Sequence, residues 1–154
     1  MPNRLPRIPG FSYHGPYRYV VAFCTIRRQP SLAEPAVVEA VRAHFLRRAH
    51  IEGFVISAYC FMRDHVHLLV EGRRQDADLQ LFVKMAKQES GYWYRQRTGR
   101  PLWQPGYFER VLRNEDETET AARYILANPV RAGYVATIVE WPFSGSEVFD
   151  ISQW

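Results

Sequence analysis

Residues 59–71 read YCFMRDHVHLLVE, in which a short polar turn separates two apolar runs. Successive side chains of a β-strand point to opposite faces, so His65 and His67 share one face if residues 65–71 form a strand. Two imidazoles two residues apart on a strand can supply half of a metal site. The alternative is that both are hydrogen-bonded polar residues on the wetter face of a half-buried strand. The apolar run at 68–70 predicts that this strand lies inside the sheet.

The segments around this hairpin predict an α+β fold. Their order, β-α-β-β-α-β-α, is that of the split βαβ, ferredoxin-like pattern with one extra helix. We therefore expect an antiparallel sheet with helices mainly on one face, and an extra C-terminal helix. The strands are predicted at 17–26, 54–60, 65–71 and 107–112, the helices at 31–49, 78–98 and 114–127, and a docking tail at 141–144.

Three helix starts are predicted from side chains that can accept hydrogen bonds in the first turn. Ser31 followed by Glu34 forms a possible capping box for the first helix. The candidate caps of the second and third helices are Asp76 or Asp78 and Asn114 or Asp116. The second helix ends in an aromatic and basic segment, 92–97, which is either a packed amphipathic end or a surface for bases and phosphates.

The composition is that of a globular chain with a substantial core. Its 154 residues are 47% apolar, and its net charge of +4 with a pI near 9.3 is compatible with a nucleic-acid partner. We expect one domain over residues 1–154, with its core at about 17–144. No signal peptide or membrane span is visible, which predicts a cytoplasmic protein. Cys24 and Cys60 lie in apolar runs and are expected to be reduced core residues.

A second group of chemically useful residues lies downstream. Tyr124 and Asn128 are four residues apart on the predicted third helix, so they should share a face. Tyr124 can serve as a nucleophile and Asn128 can offer an oxygen to a hard cation. The alternatives are a packed tyrosine and an asparagine that ends the helix before Pro129. A zinc hydrolase fits poorly, because no cysteine lies at a suitable spacing from the histidines.

These motifs resemble a known family when they are taken together. The chain is similar to the HUH-type single-tyrosine transposases, and among them to the branch associated with repetitive extragenic palindromes (REP). The resemblance extends over roughly residues 17–144. It rests on the segments DHVHLLV at 64–70, LWQ at 102–104 with GYFE at 106–109, RYI at 123–125 with NPV at 128–130, and WPFS at 141–144.

The resemblance implies a metal-dependent DNA transposase. His65, His67 and Asn128 would hold Mg²⁺ or Mn²⁺. Tyr124 would form a 5′-phosphotyrosine intermediate while it cleaves and rejoins single-stranded DNA that carries palindromic hairpins. The protein would act as a monomer or a homodimer, without a membrane. The alternative is a catalytically silent nucleic-acid-binding module of the same fold, and Tyr107 and Tyr134 are the next candidates for the nucleophile.

Overall fold

The structure, a computed structural model, describes residues 10–154, with the backbone alone at 115 and 116. Five antiparallel strands form one sheet in the order β4-β1-β3-β2-β5. The strand that carries the histidines, β3, therefore lies between two neighbours, as its apolar sequence predicts. The strands are β1 Arg18–Cys24, β2 Phe54–Phe61, β3 His65–Gly72, β4 Phe108–Leu112 and β5 Ser144–Gly145.

Helices cover the two faces of this sheet unequally. The first face carries α1 and α2 over a large core that includes Val66, Leu68 and Val70 of β3. The second face carries α3 over a smaller core that includes Leu69. The predicted α+β fold, with helices mainly on one face and an extra C-terminal helix, is confirmed. The helices are α1 Pro35–Ile51, α2 Leu79–Thr98, α3 Glu115–Leu126 and a short α4 Asn128–Arg131.

Two of the three predicted helix caps are confirmed. The Asp78 carboxylate accepts a hydrogen bond from the Leu81 N–H at 3.1 Å, and the Asn114 side chain accepts one from the Glu117 N–H at 2.9 Å. Gly99 ends α2 in the left-handed conformation, at φ 74°. Its missing Cβ removes the steric cost of that conformation.

The predicted cap at Ser31 is wrong. The helix α1 begins at Pro35, and Glu34 precedes it without a side-chain cap hydrogen bond. Leu32 is buried and its N–H donates to the Arg63 carbonyl, so this segment is held against the β2–β3 turn. Pro35 has no N–H to lose and its fixed φ suits the first helical turn, which explains the later start.

The chain after α3 differs from the expectation in two ways. Asn128 does not belong to α3; it begins the separate turn α4, which accommodates Pro129 in its first turn. The tail at 141–144 docks as predicted and also adds the fifth strand, which the sequence did not reveal. The Trp141 indole N–H donates to the Phe61 carbonyl at 3.0 Å, and β5 pairs with β2.

The aromatic and basic end of α2 has one aromatic ring packed against the core and one exposed to solvent. Trp93 packs partly against the core, with the Arg97 guanidinium 5.6 Å from its ring centroid, whereas Tyr92 is 67% exposed. In the described part of the chain, no helix has both the length and the apolar character that crossing a bilayer requires.

Candidate active site

His65 and His67 lie side by side on the α3 face of the sheet. Their ring centroids are 4.9 Å apart and the rings are perpendicular. The residues opposite His67 on the two adjacent strands have small side chains: Ala22 on β1 and Cys60 on β2. Directly opposite residues in a sheet project to the same face, so these short side chains leave room above the imidazoles.

The strand register also places both cysteines on the histidine face, which sequence spacing did not indicate. Cys24 lies opposite His65, and Cys60 lies opposite His67. Burial raises the pKa of Cys60 to about 12 and also raises that of Cys24, so both thiols stay protonated at neutral pH. Among the described residues, no three His, Cys, Asp or Glu side chains are grouped as a metal site would need.

Asp64 fixes the orientation of His65, and sequence analysis missed this role. Its Oδ1 lies 2.7 Å from His65 Nδ1, and its Oδ2 accepts a hydrogen bond from Arg28 Nε at 3.0 Å. With the Nδ1 proton donated to Asp64, the free lone pair of His65 is on Nε2. The position of Asp64 directly before His65 was the available sequence signal.

The segment that brings Arg28 to Asp64 has an unusual backbone. Arg27 and Arg28 both adopt left-handed conformations, with φ of 53° and 54°. Such conformations are uncommon for residues other than glycine and are found frequently at functional sites. The Thr25 N–H donates to the Asp64 carbonyl at 2.9 Å and so joins the end of β1 to the turn before His65, while the Thr25 hydroxyl donates to the Gln29 carbonyl at 2.6 Å.

Both imidazoles are held in their neutral form. Burial lowers the pKa of His67 to about 4, with further lowering by His65 and Arg131. Burial also lowers the pKa of His65, against the raising effect of Asp64. For Asp64 itself, burial raises the pKa, but hydrogen bonds from His65 and Arg28 bring it below its ordinary value. A neutral imidazole has the lone pair that metal binding requires.

Asn128 lies beside the free nitrogen of His65. It reaches this position from α4, whereas the sequence predicted it on the helix of Tyr124. Its Nδ2 is 3.5 Å from His65 Nε2. Ligation of a cation by Asn128 would use the carbonyl oxygen, so its amide group would have to turn over. Two imidazole nitrogens and one amide oxygen would then be available at one place, with coordination positions left for a substrate.

Tyr124 is on α3 at the edge of the same region. Its side chain is 64% exposed, the Arg131 guanidinium lies 3.9 Å from its ring centroid, and Arg131 Nη1 donates to the Tyr124 carbonyl at 2.7 Å. Tyr124 and His67 line one cavity of about 730 Å³ between α3 and strands β1 and β4. The structure therefore brings the predicted nucleophile and a predicted metal ligand together.

The two alternative tyrosines have other surroundings. Tyr107 packs against the core on the opposite face of the sheet, where its ring contacts Phe23. Tyr134 stacks on Trp141 at 5.7 Å, and the Arg63 guanidinium lies 4.8 Å from its ring centroid. Neither of them lines the cavity that His67 and Tyr124 share.

Comparison with known families assigns the chain to one of them. The sequence model described as "Transposase IS200 like" matches residues 14–128, which include β3 and α3. The chain belongs to the IS200-like transposase family. The match includes all four predicted site residues, although it assigns no role to any of them.

Two curated relatives show which IS200-like transposases the chain resembles in sequence. A REP-associated tyrosine transposase of Escherichia coli is 28% identical over 92 residues, which cover 59% of this chain and 53% of the relative. A Haemophilus influenzae protein provisionally assigned to the same group is 26% identical over 102 residues, covering 59% of this chain and 58% of that protein. The matches thus span little more than half the length of these relatives.

A solved structure supports the fold of this family member. The structure of a REP-associated tyrosine transposase bound to a REP hairpin matches with a TM-score of 0.73 and 22% identity. The match covers 91% of this chain and 82% of the other. The overall fold is therefore shared with a transposase of this kind.

Proposed function

We propose that this protein is a transposase that binds single-stranded hairpin DNA and cleaves and rejoins it through Tyr124. The observation that carries the proposal is the cavity that Tyr124 shares with His67, beside the His65–Asn128 contact. Membership of the IS200-like family and similarity to REP-associated tyrosine transposases support the same activity.

The donor set fits a divalent cation such as Mg²⁺ or Mn²⁺. His65 Nε2, a nitrogen of His67 and the Asn128 amide oxygen would hold it, and both imidazoles are neutral. When bound, the cation would polarise the scissile phosphate and stabilise the charge that develops on its oxygens. The hydrogen bond from His65 to Asp64 keeps Nε2 aimed at this position, because it fixes the ring and its tautomer.

In the proposed reaction, the Tyr124 hydroxyl oxygen attacks the phosphorus atom. A bond forms between that oxygen and phosphorus, and the bond from phosphorus to the 3′ oxygen of the preceding nucleotide breaks. The phenol proton passes to solvent, and the departing 3′ oxygen takes up a proton. The 5′-phosphotyrosine link retains the energy of the phosphodiester, so attack by a 3′ hydroxyl can reverse the step.

Arginines around the site suit a nucleic-acid backbone. Arg131 lies against Tyr124, and Arg63 is exposed in the turn just before Asp64. The planar guanidinium group pairs well with phosphate oxygens. The chain's net charge of +4 favours the same class of partner. We expect single-stranded DNA with palindromic hairpins as substrate, bound by a monomer or a homodimer.

A covalent-adduct assay tests this function. The protein is incubated with Mn²⁺ and a 3′-end-labelled pool of hairpin DNA with randomised single-stranded flanks, and is then analysed on a denaturing gel. We expect a labelled protein–DNA adduct with the wild type and none with Tyr124→Phe, which retains the ring. Tyr134→Phe is the matched control and should form the adduct. Tight hairpin binding without any adduct from the wild type would instead identify a catalytically silent binding module.

A further inference from the structure

The cavity beside Tyr124 extends well beyond the four predicted site residues. Its floor is apolar and its volume of about 730 Å³ lies within the range of small-ligand pockets, roughly 300–1,000 Å³. Four exposed polar side chains, Arg110, Asn114, Glu117 and Thr120, stand at its margin. The floor is made by Val20 and Ala22 of β1, Phe108 of β4, and Ala121 and Ile125 of α3.

We propose that this cavity binds one nucleobase of the single-stranded DNA, the base adjacent to the scissile phosphate. The proposal rests on the proposed function, because it takes the phosphate to lie between His67 and Tyr124. Both of these residues belong to the cavity wall, so the neighbouring nucleotide has the cavity directly beside it. A nucleobase has apolar faces and a polar edge, which matches an apolar floor with a polar margin.

Phe108 is the residue best suited to contact the face of the base. Its ring lines the cavity, its side chain is half-buried, and it lies outside both core clusters of the described residues. Stacking on an aromatic ring accepts any base and contributes substantially to single-strand binding. Phe108 is opposite Ala22, which is in turn opposite His67, so the ring is two strands away from the predicted metal ligand.

The polar margin is held in place by the cap of α3. Asn114 Oδ1 accepts from the Glu117 N–H, while Glu117 Oε2 accepts from the Arg113 N–H at 3.0 Å. These two hydrogen bonds hold both side chains but involve neither the Asn114 NH₂ group nor Glu117 Oε1. With the Arg110 guanidinium, the margin can offer donors and an acceptor to the hydrogen-bonding edge of a base.

Methyl NMR can observe occupancy of the cavity directly, since Ala22, Ala121 and Ile125 place methyl groups in its floor. The protein is titrated with 12-nucleotide strands of dA, dC or dT and with a base-free 12-mer of abasic residues carrying the same phosphates. We expect at least one base-containing strand to shift the methyl signals of these three residues. The base-free strand should shift only the ring signals of His65 and His67.

A substitution at Phe108 makes the test quantitative. We expect Phe108→Ala to weaken binding of the strand that gave the shift by about tenfold, in the range found for base–aromatic stacking, and to leave the base-free strand unchanged. Leu81→Ala, a truncation on α2 across the sheet, should change neither affinity. Equal effects of Phe108→Ala on both strands, or no effect, would overturn the base site.

A second variant covers the case in which Phe108→Ala does not fold. Thr120 is exposed on α3 and lines the cavity, so Thr120→Trp should fill it from the solvent side and give the same selective loss. The two proposals fail in different ways. Histidine shifts without methyl shifts remove the base site alone. Methyl shifts without histidine shifts would mean that the cavity binds a base with no phosphate at the histidines, which overturns its assignment to the base adjacent to the scissile phosphate. The absence of both removes both.

Discussion

The two faces of the sheet differ in burial and in the residues they present, although β3 contributes side chains to both. On the α1/α2 face, Val66, Leu68 and Val70 are completely buried in the large core. On the α3 face, His65 and His67 remain partly accessible beside a cavity. Among the described residues, α3 and the C-terminal segment cover this second face incompletely, and the uncovered part is where β3 presents its histidines. The difference suggests that substitutions on the first face should affect stability, and those at the histidines should affect chemistry.

The largest expected effect is on cleavage, at His65. His65→Ala removes one proposed metal ligand, and because metal stabilisation of a phosphoryl group amounts to several kcal/mol, we expect at least about a thousandfold slower Mn²⁺-dependent adduct formation. Hairpin affinity should change little, since phosphate contacts are distributed over many basic residues. Single-turnover rates and gel-shift titrations measure the two quantities. Equal cleavage rates for variant and wild type would remove the metal role.

The next largest effect is on stability, at the first face of the sheet, which α1 and α2 cover. Phe45 on α1 is 1% exposed and packs against Phe23, Phe61 and Trp103. Phe45→Ala should reduce the free energy of unfolding by about 3–5 kcal/mol, measured by urea denaturation. Phe108→Ala on the second face, which α3 covers, is the matched control and should reduce the free energy of unfolding clearly less. Equal losses would show that the two faces are packed equally well.

The third effect is acid sensitivity that comes from His67. Its pKa is about 4 in the folded protein, against an ordinary value of 6.5. As the pH falls, the imidazole of His67 is protonated in the unfolded chain before it is protonated in the folded protein. The contribution of neutral, buried His67 to the free energy of unfolding is therefore complete above pH 6.5 and is lost as the pH falls to about 4. The loss is up to about 3 kcal/mol. With EDTA present, we expect the stability of the wild type to fall more than that of His67→Gln over this interval. Parallel pH profiles of the two proteins would contradict the burial of His67.

The smallest effect concerns the orientation of His65. Asp64→Asn removes the carboxylate that accepts the Nδ1 proton and pairs with Arg28, but it keeps the size of the side chain. Loss of such a partner typically lowers metal affinity about 10–100-fold. Titration with Mn²⁺ followed by calorimetry measures this. Arg74→Gln, at an exposed ion pair with Asp76 beyond the end of β3 opposite to the histidines, is the control and should bind Mn²⁺ as the wild type does.

Local sequence patterns were sufficient for most of the secondary structure. The alternation at 65–71 predicted that both histidines share a face, and the caps at Asp78 and Asn114 were recognisable from their position before apolar periodic segments. These signals succeed because each depends on contacts within a few residues. The Ser31 prediction failed because Leu32 is held by a long-range hydrogen bond to Arg63, which outweighs a weak local preference.

The site shows the same division. The sequence by itself determined which residues are chemically capable: two histidines on one strand, and a tyrosine and an asparagine four residues apart. Only the tertiary structure decided that Cys24 and Cys60 flank the histidines, that Asn128 reaches His65 from a separate helical turn, and that Arg28 supports Asp64. Strand register and helix placement depend on packing between segments far apart in the chain, so no local pattern encodes them. The cavity between α3 and β4 exists for the same reason, since neither element forms it alone.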